Sequence, residues 1–218
     1  MNLKSLTIAT AFATLTALAA TVAHADVLTN GGFETGDLTG WTTSTNSTGS
    51  VTVVTTTNDA IFNAYWPTEG NYFAVVTAGD QSVYTTLSQT FTVTTRSSVT
   101  GNTAFLGFDV LPNNDDGYVK LIGASGAQTL FSASIASVGA FQSTGWQSFA
   151  TIVDPGTYAL QFGVENIGDN QLSSQVLADN ISVSPVPEAS TWAMLLVGFA
   201  GLGMVAGRRA AKARPAIA

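Results

Sequence analysis

The chain of 218 residues contains a single histidine, His24, and no cysteine. Ser-His-Asp and Cys-His catalysis need an imidazole or a thiolate at the reacting atom, and most zinc sites are built from the same groups. His24 stands inside an Ala-rich apolar leader, so the remainder of the chain lacks all of these chemistries. What is left is oxygen chemistry, carried by 14 Asp and Glu and by many hydroxyls and amides. Oxygen ligands suit Ca2+ better than the softer metals. Two carboxylates can also hydrolyse a glycosidic bond when they stand about 5–5.5 Å or about 6.5–9.5 Å apart. A third option is sugar binding, in which an exposed aromatic face stacks on a pyranose ring while Asn, Gln and Asp bind its hydroxyls. Asn63-Ala64-Tyr65-Trp66-Pro67 is the leading platform, with Tyr65 and Trp66 as ligand-binding candidates and Tyr118 as a further partner. Core packing is the competing use of these rings, and it is the reading for Trp41 and Trp146, which follow glycines. Asn113-Asn114-Asp115-Asp116-Gly117 is a dense oxygen cluster, but a turn after Pro112 explains it most simply, and its acids lack the alternating spacing of an EF-hand loop.

The elements that must hold these side chains read as strands. Charged residues make up 10% of the chain, against about 25% in typical soluble domains, and Thr, Ser, Asn and Gly take their place. Such a mixture favours strands and turns over helices. Short apolar or alternating runs are expected as strands at Val51–Thr57, Tyr72–Thr77, Tyr84–Thr94, Ala104–Leu111, Tyr118–Ile122, Thr129–Ala136, Gln147–Val153, Tyr158–Asn166 and Gln175–Val183. Asp154-Pro155-Gly156 predicts a hairpin over Trp146–Glu165, since Pro pre-sets φ and Gly permits positive φ. An all-β sandwich follows. The net charge of −7 argues against a nucleic-acid partner, which calls for clustered Lys and Arg.

Both ends carry address signals. Lys4, an apolar run from Leu6 to Val22 and Ala23-His24-Ala25 form the pattern of a secretory signal over residues 1–25, with cleavage before Asp26. At the other end an apolar helix is expected over 191–207, closed by the basic stop 208–214 with Arg208, Arg209, Lys212 and Arg214. A basic cluster after an apolar span keeps that end cytoplasmic and turns the preceding domain outward. Between the labels, residues 26–185 form one domain whose only cations are Arg96 and Lys120, for a net charge of −11.

Val186-Pro187-Glu188-Ala189-Ser190, the glycine-bearing apolar helix and the Arg-rich stop together resemble the PEP-CTERM sorting signal of Gram-negative bacteria, over 186–214. Ala189 stands where a second Pro is usual in that family. The resemblance implies cleavage near the motif by a membrane-embedded exosortase after signal peptidase has acted. It implies a transient inner-membrane anchor and a final place at the cell surface or in an exopolysaccharide or biofilm matrix.

The domain start, Leu28-Thr29-Asn30-Gly31-Gly32-Phe33-Glu34 with Gly40-Trp41, resembles the opening of carbohydrate-binding-module-like jelly rolls, and Val176–Val183 resembles their last strand. The resemblance implies a jelly-roll β-sandwich with neighbouring first and last strands. Its one implied cofactor is a structural Ca2+ between them, drawing on Glu34 and Asp179. The combined expectation is an exported, non-enzymatic protein that binds polysaccharide through a jelly roll. A purely structural matrix component and a two-carboxylate glycoside-active enzyme stand as the alternatives.

Overall fold

The computed structural model describes residues 28–187 and 193–202. Twelve strands occur in the first of these segments: β1 (Thr42–Ser44), β2 (Ser50–Val54), β3 (Thr57–Asn58), β4 (Ala64–Tyr65), β5 (Phe73–Thr77), β6 (Thr85–Val93), β7 (Ser97–Leu106), β8 (Asp116–Gly123), β9 (Gly126–Ser134), β10 (Gln147–Val153), β11 (Gly156–Glu165) and β12 (Gln175–Pro185). One helical turn, α1 (Ile135–Val138), follows β9 where the strand pattern runs on to Ala136.

Two antiparallel five-stranded sheets make the sandwich. Sheet A has the order β1-β6-β11-β8-β9 and sheet B the order β10-β7-β12-β5-β2. From β5 to β12 the chain changes sheet at every connection except the β8–β9 hairpin, which is the jelly-roll winding.

That winding overturns the expected hairpin at Trp146–Glu165. β10 pairs with β7 in sheet B, whereas β11 pairs with β6 and β8 in sheet A. The Asp154-Pro155-Gly156 turn carries the chain between layers instead of folding it back within one. A second correction concerns β7, which spans Ser97–Leu106 and not Ala104–Leu111. Its first half looks too polar to be a strand, yet Val99 and Gly101 face inward. Gly101 is needed there because a Cβ would overlap the ring of Phe149.

Alternation builds the core. β6 buries Leu87, Phe91 and Val93 on one side and turns Thr86, Ser88 and Thr90 to the other. Phe33, Leu87, Phe105, Leu160 and Phe162 fill the space between the sheets, and Trp41 caps one end with its ring 5.3 Å from Phe33 and 6.1 Å from Phe162. The domain start is no strand, but it does lie beside the last one: Ile181 N donates to Gly31 O at 3.0 Å. A second apolar cluster lies on the outer side of sheet B. There Phe73, Val75, Ala104, Leu106 and Leu177 are roofed by Tyr65 from the β3–β4 hairpin and by Trp146.

Candidate functional site

The outer face of sheet A is polar and open, and its centre is built around a glycine. Gly163 sits in β11 between Phe162 and Val164, both of which point inward. With no side chain there, the Tyr118 ring from β8 lies flat across β11; a Cβ at Gly163 would overlap Tyr118 Cζ. A glycine inside a central strand often marks such a close approach. The Tyr118 hydroxyl donates to Gln161 Oε1 at 2.9 Å. From the other side of β11, Tyr84 packs edge-on against Tyr118 at 4.9 Å and 66° and donates its hydroxyl to Asp116 Oδ1 at 2.7 Å. Lys120 Nζ rests 3.8 Å from the Tyr118 ring centroid, a cation–π contact. Glu165 stands opposite Asp116 in the β11–β8 register.

Charge is concentrated here. Burial pushes the Glu165 carboxyl above its usual range, and the neighbouring Asp116 and Asp115 charges add to this against the opposing effects of Tyr84 and Lys120. Burial likewise raises both tyrosines, helped by the Asp116 and Glu165 charges. Between β8 and β9 this cluster borders a cleft of about 420 Å³, to which Asn114, Thr129, Ser132, Ser134 and Ser137 add an amide and hydroxyls. The cleft offers hydrogen-bond donors and acceptors of both kinds with one partly exposed ring, Tyr84. That chemistry suits a polyhydroxylated ligand.

The residues anticipated from sequence are dispersed. Tyr65 is buried at 8% exposure and donates its hydroxyl to Ser143 Oγ at 2.7 Å, so it is a roof over sheet B and no platform. Trp66, just past the end of β4, is turned outward to 63% exposure, with its carbonyl accepting from Trp146 Nε1 at 3.0 Å. Exposed Ile61 and Phe62 stand at the tip of the same hairpin, where Phe62 takes a left-handed φ of 65°, uncommon for a bulky residue. Asp59, buried beneath, holds this turn by accepting from Ile61 N at 3.1 Å and Asn63 N at 2.8 Å. Tyr118 lies on the opposite broad face of the sandwich, and Tyr65, Trp66 and Tyr118 do not form one site.

Glu34 and Asp179 both meet the loop 68–72 with N–H donors aimed at their oxygens. Glu34 Oε1 accepts from Asn71 N and Tyr72 N, each at 2.9 Å. Asp179 Oδ2 accepts from Thr68 N and Thr68 Oγ1, each at 2.6 Å, while Oδ1 accepts from Asn180 N at 2.7 Å. Donor hydrogens on these lone pairs are the opposite of what Ca2+ requires, so the pair as placed does not fit the ion. Among the described residues no group of three or more His, Cys, Asp or Glu is arranged to hold a metal. The 113–117 run spends its side chains on loop structure: Asn113 Nδ2 donates to Asp169 Oδ2 at 2.8 Å, Asn114 Oδ1 accepts from Ala136 N at 2.7 Å, and buried Asp115 accepts from Ile167 N at 2.9 Å and Ser174 Oγ at 2.7 Å. Asp116, Asn114 and Gly117 of this run also border the cleft. Tyr84, Lys120, Gln161 and Glu165 were not anticipated; Gly163 between two inward apolar residues was the visible signal for them.

The signal-cleavage residues Ala23, Ala25 and Asp26 lie outside the described residues, as do Glu188, Ala189, Arg208 and Arg209. Of the sorting motif, Val186 N donates to Arg96 O at 2.9 Å and Pro187 is exposed. Residues 193–202 are helical, and no helix among the described residues is long and apolar enough to cross a membrane.

No family model and no curated protein matches the chain. Among solved structures it is similar to TmCBM61 in complex with β-1,4-galactotriose, at 17% identity and a TM-score of 0.47, covering 73% of this chain and 97% of that one. It is similar also to the CBM22-1 xylan-binding domain from Paenibacillus barcinonensis Xyn10C, at 17% identity, TM-score 0.39 and coverage of 76% and 97%. A third is the K1 cleaved adhesin domain of Lys-gingipain from Porphyromonas gingivalis W83, at 15% identity, TM-score 0.45 and coverage of 72% and 96%.

Proposed function

We propose that this chain is an exported, non-enzymatic protein of the cell surface or extracellular matrix that binds polysaccharide on the outer face of sheet A. The observation that carries the reading is the cleft of about 420 Å³ beside Tyr84, Asp116, Tyr118 and Lys120, ringed by hydroxyls and an amide on a face that no other element covers among the described residues. A glycan presents many hydroxyls that both donate and accept, and a cleft of mixed donors and acceptors satisfies them. Tyr84 supplies the ring edge and the cross-sheet hydrogen bond that keeps Asp116 in place. Titration of the protein with oligosaccharides tests this: wild type binds, and Tyr84→Ala and Asp116→Ala each weaken binding at least tenfold, on the order of 1.4 kcal/mol. Equal binding by both variants would remove the site.

The export half rests on sequence. The leader 1–25 delivers the chain across the inner membrane, exosortase recognises the Val186-Pro187-Glu188-Ala189 segment and cleaves near it, and the apolar segment 191–207 with its basic stop anchors the chain until then. Deleting 187–218 is expected to send the domain into the medium with no membrane-bound intermediate. Identical fractionation of full-length and truncated chains would contradict the anchor.

A further inference from the structure

The charges around the cleft bear on which polysaccharides it accepts. Asp116 and Lys120 from β8 line the cleft, and Glu165 from β11 stands outside its lining but opposite Asp116 in register; Tyr84, Tyr118 and the β9 hydroxyls of the lining carry no formal charge. Two negative charges therefore stand against one positive charge. Asp116 and Glu165 are directly opposite in register, and side chains so placed have Cβ atoms about 4.5–5.5 Å apart, close enough to repel. Lys120 is the sole balancing group, and its ammonium is seated on the Tyr118 ring. Burial is the main cause that pushes Glu165, Tyr84 and Tyr118 toward their protonated forms, and the neighbouring carboxylate charges act in the same direction. Beyond the cleft the field has the same sign, because Arg96 and Lys120 are the only cations between residues 28 and 187.

We infer that the cleft takes glycans free of acidic groups and excludes uronate-bearing ones, with Asp116 and Glu165 as the excluding charges. This rests on the polysaccharide reading of the same site and adds the chemical class of its ligand. A sugar carboxylate entering beside Tyr84 would bring a third negative charge within a few ångströms of two others in a partly desolvated place, where Coulomb repulsion is stronger than in bulk water. A neutral sugar meets only the hydroxyls, the amide and the carboxylate acceptors. Lys120 softens the exclusion and does not reverse it.

The test uses the full chain and an array of neutral glucans, mannans, galactans and xylans beside their uronate counterparts of matched linkage, read at low and at high salt. At least one neutral member is expected to bind, with its uronate counterpart about tenfold weaker at low salt. The gap should narrow as salt screens the repulsion. Glu165→Gln should reduce the discrimination several-fold, and Lys120→Ala should widen it. A uronate member bound as tightly as its neutral counterpart overturns the inference while leaving polysaccharide binding in place. Binding of no member overturns both, and an unchanged ratio in Glu165→Gln overturns the role given to that carboxylate.

Discussion

On the outer side of sheet B, Phe73, Val75, Leu106 and Leu177 would face water were it not for Tyr65 and Trp146, which lie over them. On the outer side of sheet A, Tyr84, Asp116, Lys120, Gln161 and Glu165 occupy the equivalent surface, and no hairpin crosses them among the described residues. The same strand alternation produces both faces, but the residues it places outward differ. An apolar outer face must be covered, because apolar area left in water costs about 25 cal/mol per Å². A polar one is free to stay open and meet a ligand. The aromatic residues follow this division: Tyr65 and Trp146 serve stability, while Tyr118, laid flat over Gly163, shapes a cleft.

Perturbing the two faces should therefore separate stability from binding. The largest effect is expected from Tyr65→Ala, which unroofs sheet B and removes the hydrogen bond to Ser143. A loss of about 3–5 kcal/mol in denaturant unfolding is predicted, with glycan affinity unchanged at temperatures where the protein stays folded. Gly163→Ala reverses the pattern. Its methyl forces Tyr118 off β11, so affinity should fall at least tenfold while stability drops by about 1–3 kcal/mol.

Glu165→Gln acts more gently and through pH. Since the folded-state pKa of Glu165 is raised, the carboxyl costs stability as pH rises from the unfolded value through the folded one. The variant should match wild type in Tm below that window and exceed it at neutral pH; a Tm difference that does not change with pH would refute the assignment. Trp66→Ala should do least, within about 0.5 kcal/mol in stability and with no change in affinity, because its ring is exposed and on the wrong face.

These contrasts also show what could be read in advance. β10 was legible to the residue at Gln147–Val153, and β5 and β6 nearly so, because a buried face writes its period of two directly into the chain. The sheet to which a strand belongs was not legible. Asp154-Pro155-Gly156 specifies a tight reversal, and such a reversal serves a crossing between layers as well as a hairpin. Tyr65 is the last residue of β4 and Trp66 follows it outside the strand, one buried and the other exposed, so adjacency in sequence did not make a shared platform. The cleft depends on β6 and β8 flanking β11, a long-range arrangement that brings Tyr84 to Asp116 across 32 positions of sequence. Glu34 and Asp179 each accept hydrogen bonds from the 68–72 backbone, and backbone geometry of that kind leaves no mark on composition.

The most direct test of the open-face account is an amide NMR titration of the full chain with a neutral oligosaccharide that it binds. The account predicts shifts at Tyr118, Ser132, Gln161 and Gly163, with Asn63 and Trp66 unmoved. Shifts confined to the Ile61–Trp66 tip, with the sheet A amides silent, would contradict it.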